Sequence, residues 1–521
     1  MKTYVRRVTM IAMGLLAGMA AGAETAASHR EDRMAAAQSA GTFMNPVLAG
    51  DWPDASIVRV GGDYYMTHTS GVYAPGLLIW HSKDLVHWEP VTHALKSFDG
   101  DVWAPDLVHH NGRFYIYYPT KGTNKVIWSD RIEGPWSEPI DLKLPHIDPG
   151  HIVDQATGQR HLYLSSGYVS SLANDGLSAA CPPKKVYDGW AFPSEWRVEN
   201  FCLESPKLLY REGWYHLFSA EGGTAGPSTS HMVVHARSKS VVGPWENSPY
   251  NPIIRTRSPV EKWWSRGHAT VFDAADGSWW MIYHSYEKDF LALGRNNLLE
   301  PVEWTKDGWL RVKAGSDPAL PMAAPKGEAV DQTWKLLADD FQASELKWQW
   351  QFYKQHDPSR YGVGGGTLRL KGRGLSVADS SPLVINAGSH AYAWQVDVEL
   401  EGDAQAGLVL FYSEQAHVGI GISPKAAWWG PRAPLREWPG KRPASRVVTL
   451  RMVNENNEVD FYMGEQGGPL KKVFDSQNVS GYTAQTFGSF LSLRPGLYCT
   501  GEGTALFRNF KFQHLSNANA K

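Results

Sequence analysis

The chain has 521 residues, a formal net charge of −2 and 43% hydrophobic residues, with 50 glycines, 32 prolines, 23 tryptophans and 22 tyrosines. Its length exceeds one average domain, and 51 basic against 53 acidic residues leave no cationic footprint for nucleic acid. Three cysteines, Cys181, Cys202 and Cys499, exclude a disulfide scaffold and fit no metal finger. Their spacing leaves open whether Cys181 and Cys202 pair or stay as free thiols.

At the N-terminus, Lys2, Arg6 and Arg7 precede an apolar run over 8–20 and the small-residue site Ala21-Gly-Ala23. This predicts a secretory signal peptide, residues 1–23, too short in its apolar part for a comfortable membrane span. Cleavage after Ala23 leaves 48 basic and 53 acidic residues, a net charge of −5. The expected location is secreted or periplasmic, with no membrane span remaining. Residues 24–41 are small and polar and read as a flexible lead.

From residue 42 one form recurs five times, a glycine turn followed by an aromatic-rich strand. The copies start at Gly62, Gly112, Gly158, Gly213 and Gly277, 46 to 64 residues apart. That period suits propeller blades with loop insertions. Gly-Pro-Trp recurs at 134–136 and 243–245, which supports a true repeat. Five blades of about four strands predict an all-β fold, a closed five-bladed β-propeller over 42–312.

The first strand of each propeller blade lines the central channel, so the residues that open these strands converge on one mouth. The five openings carry Asp54 (Asp51-Trp-Pro-Asp), Asp106 (Trp103-Ala-Pro-Asp), Asp148 (Ile147-Asp-Pro), Glu204 (Leu203-Glu-Ser-Pro-Lys) and His268 (Arg266-Gly-His). Each stands about one strand's length ahead of its glycine turn. Four carboxylates and a histidine in register make a polar funnel. Crowded carboxylates repel, so at least one pKa rises, and glycoside hydrolysis needs one protonated and one ionised carboxyl group.

These openings resemble glycoside hydrolase family 43, the inverting pentosidases and arabinanases. The resemblance covers about residues 42–312 and implies Asp54 as general base, Glu204 as general acid, and Asp148 as the carboxylate that orients the acid and tunes its pKa. It implies substrate contacts from Trp103, Asp106, Arg295 (in Leu293-Gly-Arg) and His268. Inversion implies base and acid carboxyls roughly 6.5–9.5 Å apart. No cofactor is implied as required; a structural calcium in the channel, reached from His268 through water, is the one metal the resemblance admits. Ala55, Ser205 and Asn296 depart from the family's usual residues and leave the subfamily open. The openings of fructan-hydrolase propellers and the repeated signatures of kelch or WD propellers are missing.

Residues 313–332, with Gly-Ser-Asp-Pro, Leu-Pro and Ala-Ala-Pro, read as an inter-domain linker. Beyond them, alternating runs such as Ala393-Trp-Gln-Val-Asp-Val predict a β-sandwich over 333–517. It resembles the concanavalin-A-like sandwich appended to family 43 β-xylosidases, in which a sandwich loop can close the substrate pocket. A separate sugar-binding module using Trp428, Trp429 or Trp438 is the alternative. The expected activity is removal of a terminal pentose from a plant cell-wall oligosaccharide or polysaccharide, as an exo-β-1,4-xylosidase or, alternatively, an α-L-arabinofuranosidase, with an endo-arabinanase or a non-catalytic sugar-binding propeller behind these. The sequence leaves the oligomeric state open.

Overall fold

The computed structural model describes residues 41–430 and 435–515. The signal peptide and residues 24–40 of the lead lie outside the described residues. Five antiparallel sheets follow in chain order. Blade 1 is built from Ser56–Val60, Asp63–Thr67, Gly76–Ser82 and Glu89–Leu95, and blade 2 from Asp106–His110, Arg113–Thr120, Thr123–Ser129 and Ile140–Asp141. Blade 3 uses Gly150–Val153, Arg160–Leu164, Tyr168–Ser171 and Lys184–Lys185. Blade 4 uses Glu204–Arg211, Trp214–Glu221, Met232–Ser238 and Glu246–Asn247, with Ile254–Arg255 added. Blade 5 uses Trp263–Asp273, Trp279–Glu287, Arg295–Trp304 and Leu310–Val312.

Local chemistry explains the repeat. Four of the five turn glycines sit at left-handed φ, 77° at Gly112 and 82° at Gly277, a region that costs a residue with a Cβ, and in blade 1 the neighbouring Gly61 takes it at 64°. The second strands are buried almost throughout, as in Arg160–Leu164, because neighbouring blades cover both faces. The first strands touch in a ring, blade 1 with 2, 2 with 3, 3 with 4, 4 with 5, and 5 with 1, so the propeller is closed. The entering chain latches this closure. Asn45 exchanges two hydrogen bonds with Leu299 of blade 5, and Leu48 bridges Asn297 before the chain enters blade 1.

The second unit is the concanavalin-A-like sandwich. Ala391–Phe411 and Arg494–His514, each of 21 residues, pair along almost their whole length. Gly402 and Gly501, both at positive φ, lie within this pair, opposite Gly503 and Ala404. Its core holds Trp350, Trp394, Leu408, Phe461 and Phe507, all essentially buried.

The predicted linker is not a loose tether. Met322–Ala323 pairs with Thr42–Phe43, and Gln332 and Trp334 both donate to Trp88 O. Trp52, Trp334 and Trp348 pack edge-on against Trp80 at ring separations of 5.2, 4.8 and 5.5 Å. Blade 1 even joins the sandwich sheet, since Tyr73–Ala74 pairs with Gln351–Tyr353. A chain truncated after residue 331 uncovers Trp80 and breaks this pairing. It is expected to lose most activity and to self-associate, as read by assay and light scattering.

Candidate active site

The mouth of the channel is built by backbone kinks. One residue without glycine's freedom takes a left-handed φ at each blade opening: Asp54 (61°), Ala104 (28°), Asp148 (57°), Ser205 (54°) and His268 (58°). Such conformations cost about 1–3 kcal/mol each and persist where surrounding structure holds them. Two residues further along lies a second, deeper layer: Ser56, Asp106, Gly150, Lys207 and Thr270. In the first three blades that residue begins the first strand.

This register corrects the placement of Asp106. Its blade's counterpart of Asp54 and Asp148 is Ala104, and Asp106 belongs to the deeper layer. There it accepts from Lys207 Nζ at 2.7 Å, from Ser56 Oγ at 3.1 Å and from the His151 amide at 2.7 Å. Asp106 therefore ties four blades together and does not line the pocket that holds the other candidates. Gly150 has no side chain in this layer because a Cβ there would fall 1.6 Å from Pro206 O.

The other six expected residues line one pocket of about 290 Å³: Asp54, Trp103, Asp148, Glu204, His268 and Arg295. Asp54 is 5% exposed and ringed by donors. Its Oδ1 lies 3.2 Å from Arg295 Nη1, 2.9 Å from His284 Nδ1 and 3.7 Å from His268 Nε2, and its Oδ2 accepts from Thr69 Oγ1 at 2.5 Å. Burial works to raise its pKa, but Arg295, His268 and His284 outweigh it and hold the carboxyl well below the usual carboxylate range. Asp54 is thus kept ionised.

Glu204 has the opposite surroundings. It is half-buried, opens the first strand of blade 4, and is followed by a register shift before Lys207. Burial first and then the charge of Asp148 push it up to about 8, against a smaller opposing effect of His268. Asp148 Oδ2 accepts from the Ser205 amide at 3.0 Å and lies 3.2 Å from His268 Nε2. Asp148 therefore fixes the backbone beside Glu204 while its charge disfavours ionisation there. Burial disfavours a charge on His268, yet Asp54, Asp148 and Glu204 raise its pKa above the ordinary value. Two carboxyls with pKa values driven apart in one pocket form a base and acid set able to perform hydrolysis.

Several residues in or behind the pocket were not legible in the sequence. His284 is fully buried in the second strand of blade 5, kept neutral by burial, and orients Asp54; a lone histidine ending an apolar run was the only signal. Glu199, Cys202 and Thr224 come from irregular segments around blade 4. Phe490 comes from the sandwich, 47% exposed, with Arg295 Cζ 5.1 Å from its ring centre. The sandwich also grips the chain next to the site. Asn386 exchanges two hydrogen bonds with Asp51, and Leu493 N donates to Ala292 O three residues before Arg295. Trp428, Trp429 and Trp438 are half-buried, with Trp428 and Trp438 packed onto sandwich cores and Trp429 stacked on Phe474. They do not form an open sugar platform. Phe490→Ala removes a pocket wall and the ring beneath Arg295, and should lower kcat/KM by about 1–2 kcal/mol, roughly five- to thirtyfold, with wild-type melting temperature.

The cysteines are free: Cys181 is exposed, Cys202 half-buried and Cys499 buried. Around His268 the unpartnered buried atoms include the ring nitrogens His268 Nδ1, His284 Nε2 and His231 Nε2, on rings 5.3 to 5.5 Å apart, with Ser205 Oγ and Asn297 Oδ1 on neighbouring residues. Calcium takes six to eight oxygen ligands, so these ring nitrogens would not ligate it directly, and among the described residues no group of three His, Cys, Asp or Glu could hold a metal. No helix among the described residues is long and apolar enough to cross a membrane.

Comparison with known proteins identifies the family of both units. The family model "Glycosyl hydrolases family 43" matches residues 43–310, and "Beta xylosidase C-terminal Concanavalin A-like domain" matches 338–513. The chain is 28% identical over 504 residues to a non-reducing end α-L-arabinofuranosidase of Bacteroides ovatus, covering 89% of this chain and 92% of that protein. It is 28% identical over 532 residues to xylosidase/arabinosidase 43B of Humicola insolens, covering 90% and 96%. Among solved structures, the xylan β-1,4-xylosidase of Bacillus halodurans superposes with a TM-score of 0.80 at 25% identity, covering 91% of this chain and all of that one.

Proposed function

The chain belongs to glycosyl hydrolases family 43, and from that premise we propose that it is an inverting exo-β-1,4-xylosidase acting on plant cell-wall oligosaccharides. It is a glycoside hydrolase with a carbohydrate substrate. The single observation that carries the mechanism is the split between Asp54, held ionised, and Glu204, pushed up to about 8. Asp54 takes a proton from the water that attacks the anomeric carbon. Glu204 gives its proton to the leaving oxygen, and Asp148 keeps that proton in place in the free enzyme. Arg295 and His268 neutralise Asp54 and Asp148 and face the sugar, while Trp103 and Phe490 wall it. One displacement inverts the anomeric centre, so the first product seen by NMR is expected to be α-xylose; initial β-xylose defeats the mechanism.

The preference for xylose rests on the appended sandwich and its Phe490. The full-length likeness to an arabinofuranosidase supports α-L-arabinofuranosidase as the second reading. Rates on 4-nitrophenyl β-xyloside and 4-nitrophenyl α-L-arabinofuranoside decide between them. The pH profile follows from the shifts. kcat/KM on slow-leaving substrates should fall as pH rises through about 8, where Glu204 loses its proton. The acid limb should lie below the ordinary carboxylate range, because Asp54 is protonated only there. We place the enzyme outside the cytoplasm on the strength of residues 1–23; N-terminal sequencing of exported protein starting at Glu24 is the check.

A further inference from the structure

The segment over 188–203 carries Glu199 and Cys202 to the pocket and runs directly into Glu204. It is tied down along its length. The Trp190 amide donates to Glu221 Oε1 at 2.6 Å, Asn247 Nδ2 to Gly189 O at 3.1 Å, the Glu199 amide to Ser230 Oγ at 2.9 Å, and the Gly222 amide to Phe201 O at 2.8 Å. The Glu199 side chain lies against a glycine floor. A Cβ on Gly223 would meet Glu199 Oε2 at 1.9 Å, and one on Gly226 would meet Glu199 Cβ at 2.4 Å. The carboxylate is aimed by this shape alone, since among the described residues it has no ion-pair or hydrogen-bond partner for its oxygens. Asp54 and Asp148 are 5% and 3% exposed on the pocket floor, whereas Glu199 is exposed at the rim. The Cys202 thiol is raised to about 11 by burial and then by the charges of Glu204 and Glu199, so the two carboxyls flank it.

An acid that protonates the leaving oxygen must sit on the leaving-group side of the scissile bond, and Glu199 and Cys202 line the same pocket five and two residues before it in the chain. We propose that Glu199 is a specificity residue that accepts hydrogen bonds from hydroxyls of the leaving sugar. The inference rests on Glu204 being the acid. An ionised carboxylate offers acceptor sites only, which suits the hydroxyl donors of a pyranose or furanose unit. An aryl leaving group has no such donors and passes Glu199 without contact. Glu199 therefore favours glycosidic substrates over aglycones of equal reactivity, without touching the sugar that is cleaved off.

The test compares Glu199→Gln and Glu199→Ala with the parent on xylobiose and 4-nitrophenyl β-xyloside, or on the arabinofuranosyl pair if that is the sugar cleaved. Glu199→Ala is expected to lose roughly ten- to hundredfold in kcat/KM on the disaccharide, with Glu199→Gln retaining part of it, and both within about threefold of the parent on the aryl glycoside. Melting temperatures should be unchanged, since the side chain is exposed. Equal losses on both substrates, or no loss on either, overturn the proposal. Glu204→Gln is measured on the same pair. If it loses equally on both, the acid assignment fails, whereas a failure confined to Glu199 appears as unselective Glu199 variants beside a selective Glu204→Gln.

Discussion

Glu204→Gln is expected to lose about 10²–10⁴-fold in kcat/KM on xylobiose and far less on an aryl glycoside with a good leaving group. The reason lies in what the proton does. A sugar alkoxide is a poor leaving group and departs only as it is protonated, whereas a nitrophenolate departs without help. Glutamine keeps the shape of the side chain but has no proton of suitable acidity. Burial and Asp148 hold that proton on Glu204 up to about pH 8 in the parent, so the alkaline limb the parent shows on xylobiose should be missing from whatever activity the variant keeps on that substrate. Because Glu204 makes no ion pair among the described residues, the fold should tolerate the change. Equal losses on both substrates at unchanged melting temperature would remove Glu204 from the acid role.

Asp54→Asn is expected to lose about 10²–10⁴-fold on every substrate regardless of leaving group, because activation of water is needed in each case. This variant also tests the electrostatics. Arg295 and His268 are 6% and 4% exposed, and in the parent both face Asp54. Removing one member of a buried charge set leaves the others uncompensated, at a cost of about 3–5 kcal/mol. Melting temperature should therefore fall together with activity, and it should fall less in Asp54→Asn made together with Arg295→Met. A loss of activity confined to poor leaving groups would contradict the base role. An unchanged melting temperature would contradict the tight coupling of Asp54 to Arg295 and His268.

The propeller was legible because its information is local. A glycine at a hairpin turn and an alternating aromatic strand are short-range features, and five copies at similar spacing define the blades. The carboxylates opening blades 1, 3 and 4 were legible for the same reason, since they stand a strand's length ahead of each turn. Asp106 misled for an instructive reason. Its sequence context, Ala-Pro-Asp, looks like Trp-Pro-Asp54, but the left-handed kink falls on Ala104, so Asp106 enters two residues deeper and meets Lys207. Backbone φ at a single non-glycine residue is set by tertiary packing and leaves no mark in the sequence.

By itself, the sequence determined the all-β class, the five-blade repeat, the second β-rich unit and the candidacy of Asp54, Asp148 and Glu204. Only the tertiary structure decided which carboxyl is ionised and which keeps its proton. That choice depends on Arg295 and His284, more than 200 positions from Asp54 in the chain, and on Asp148 beside Glu204. It also decided that the pocket is shared, because Phe490 belongs to the sandwich and reaches Arg295 of the propeller. Charge interactions and burial act through space over a few ångströms, whereas sequence patterns report only neighbours along the chain. The repeat could therefore be read from sequence, and the chemistry of its mouth could not.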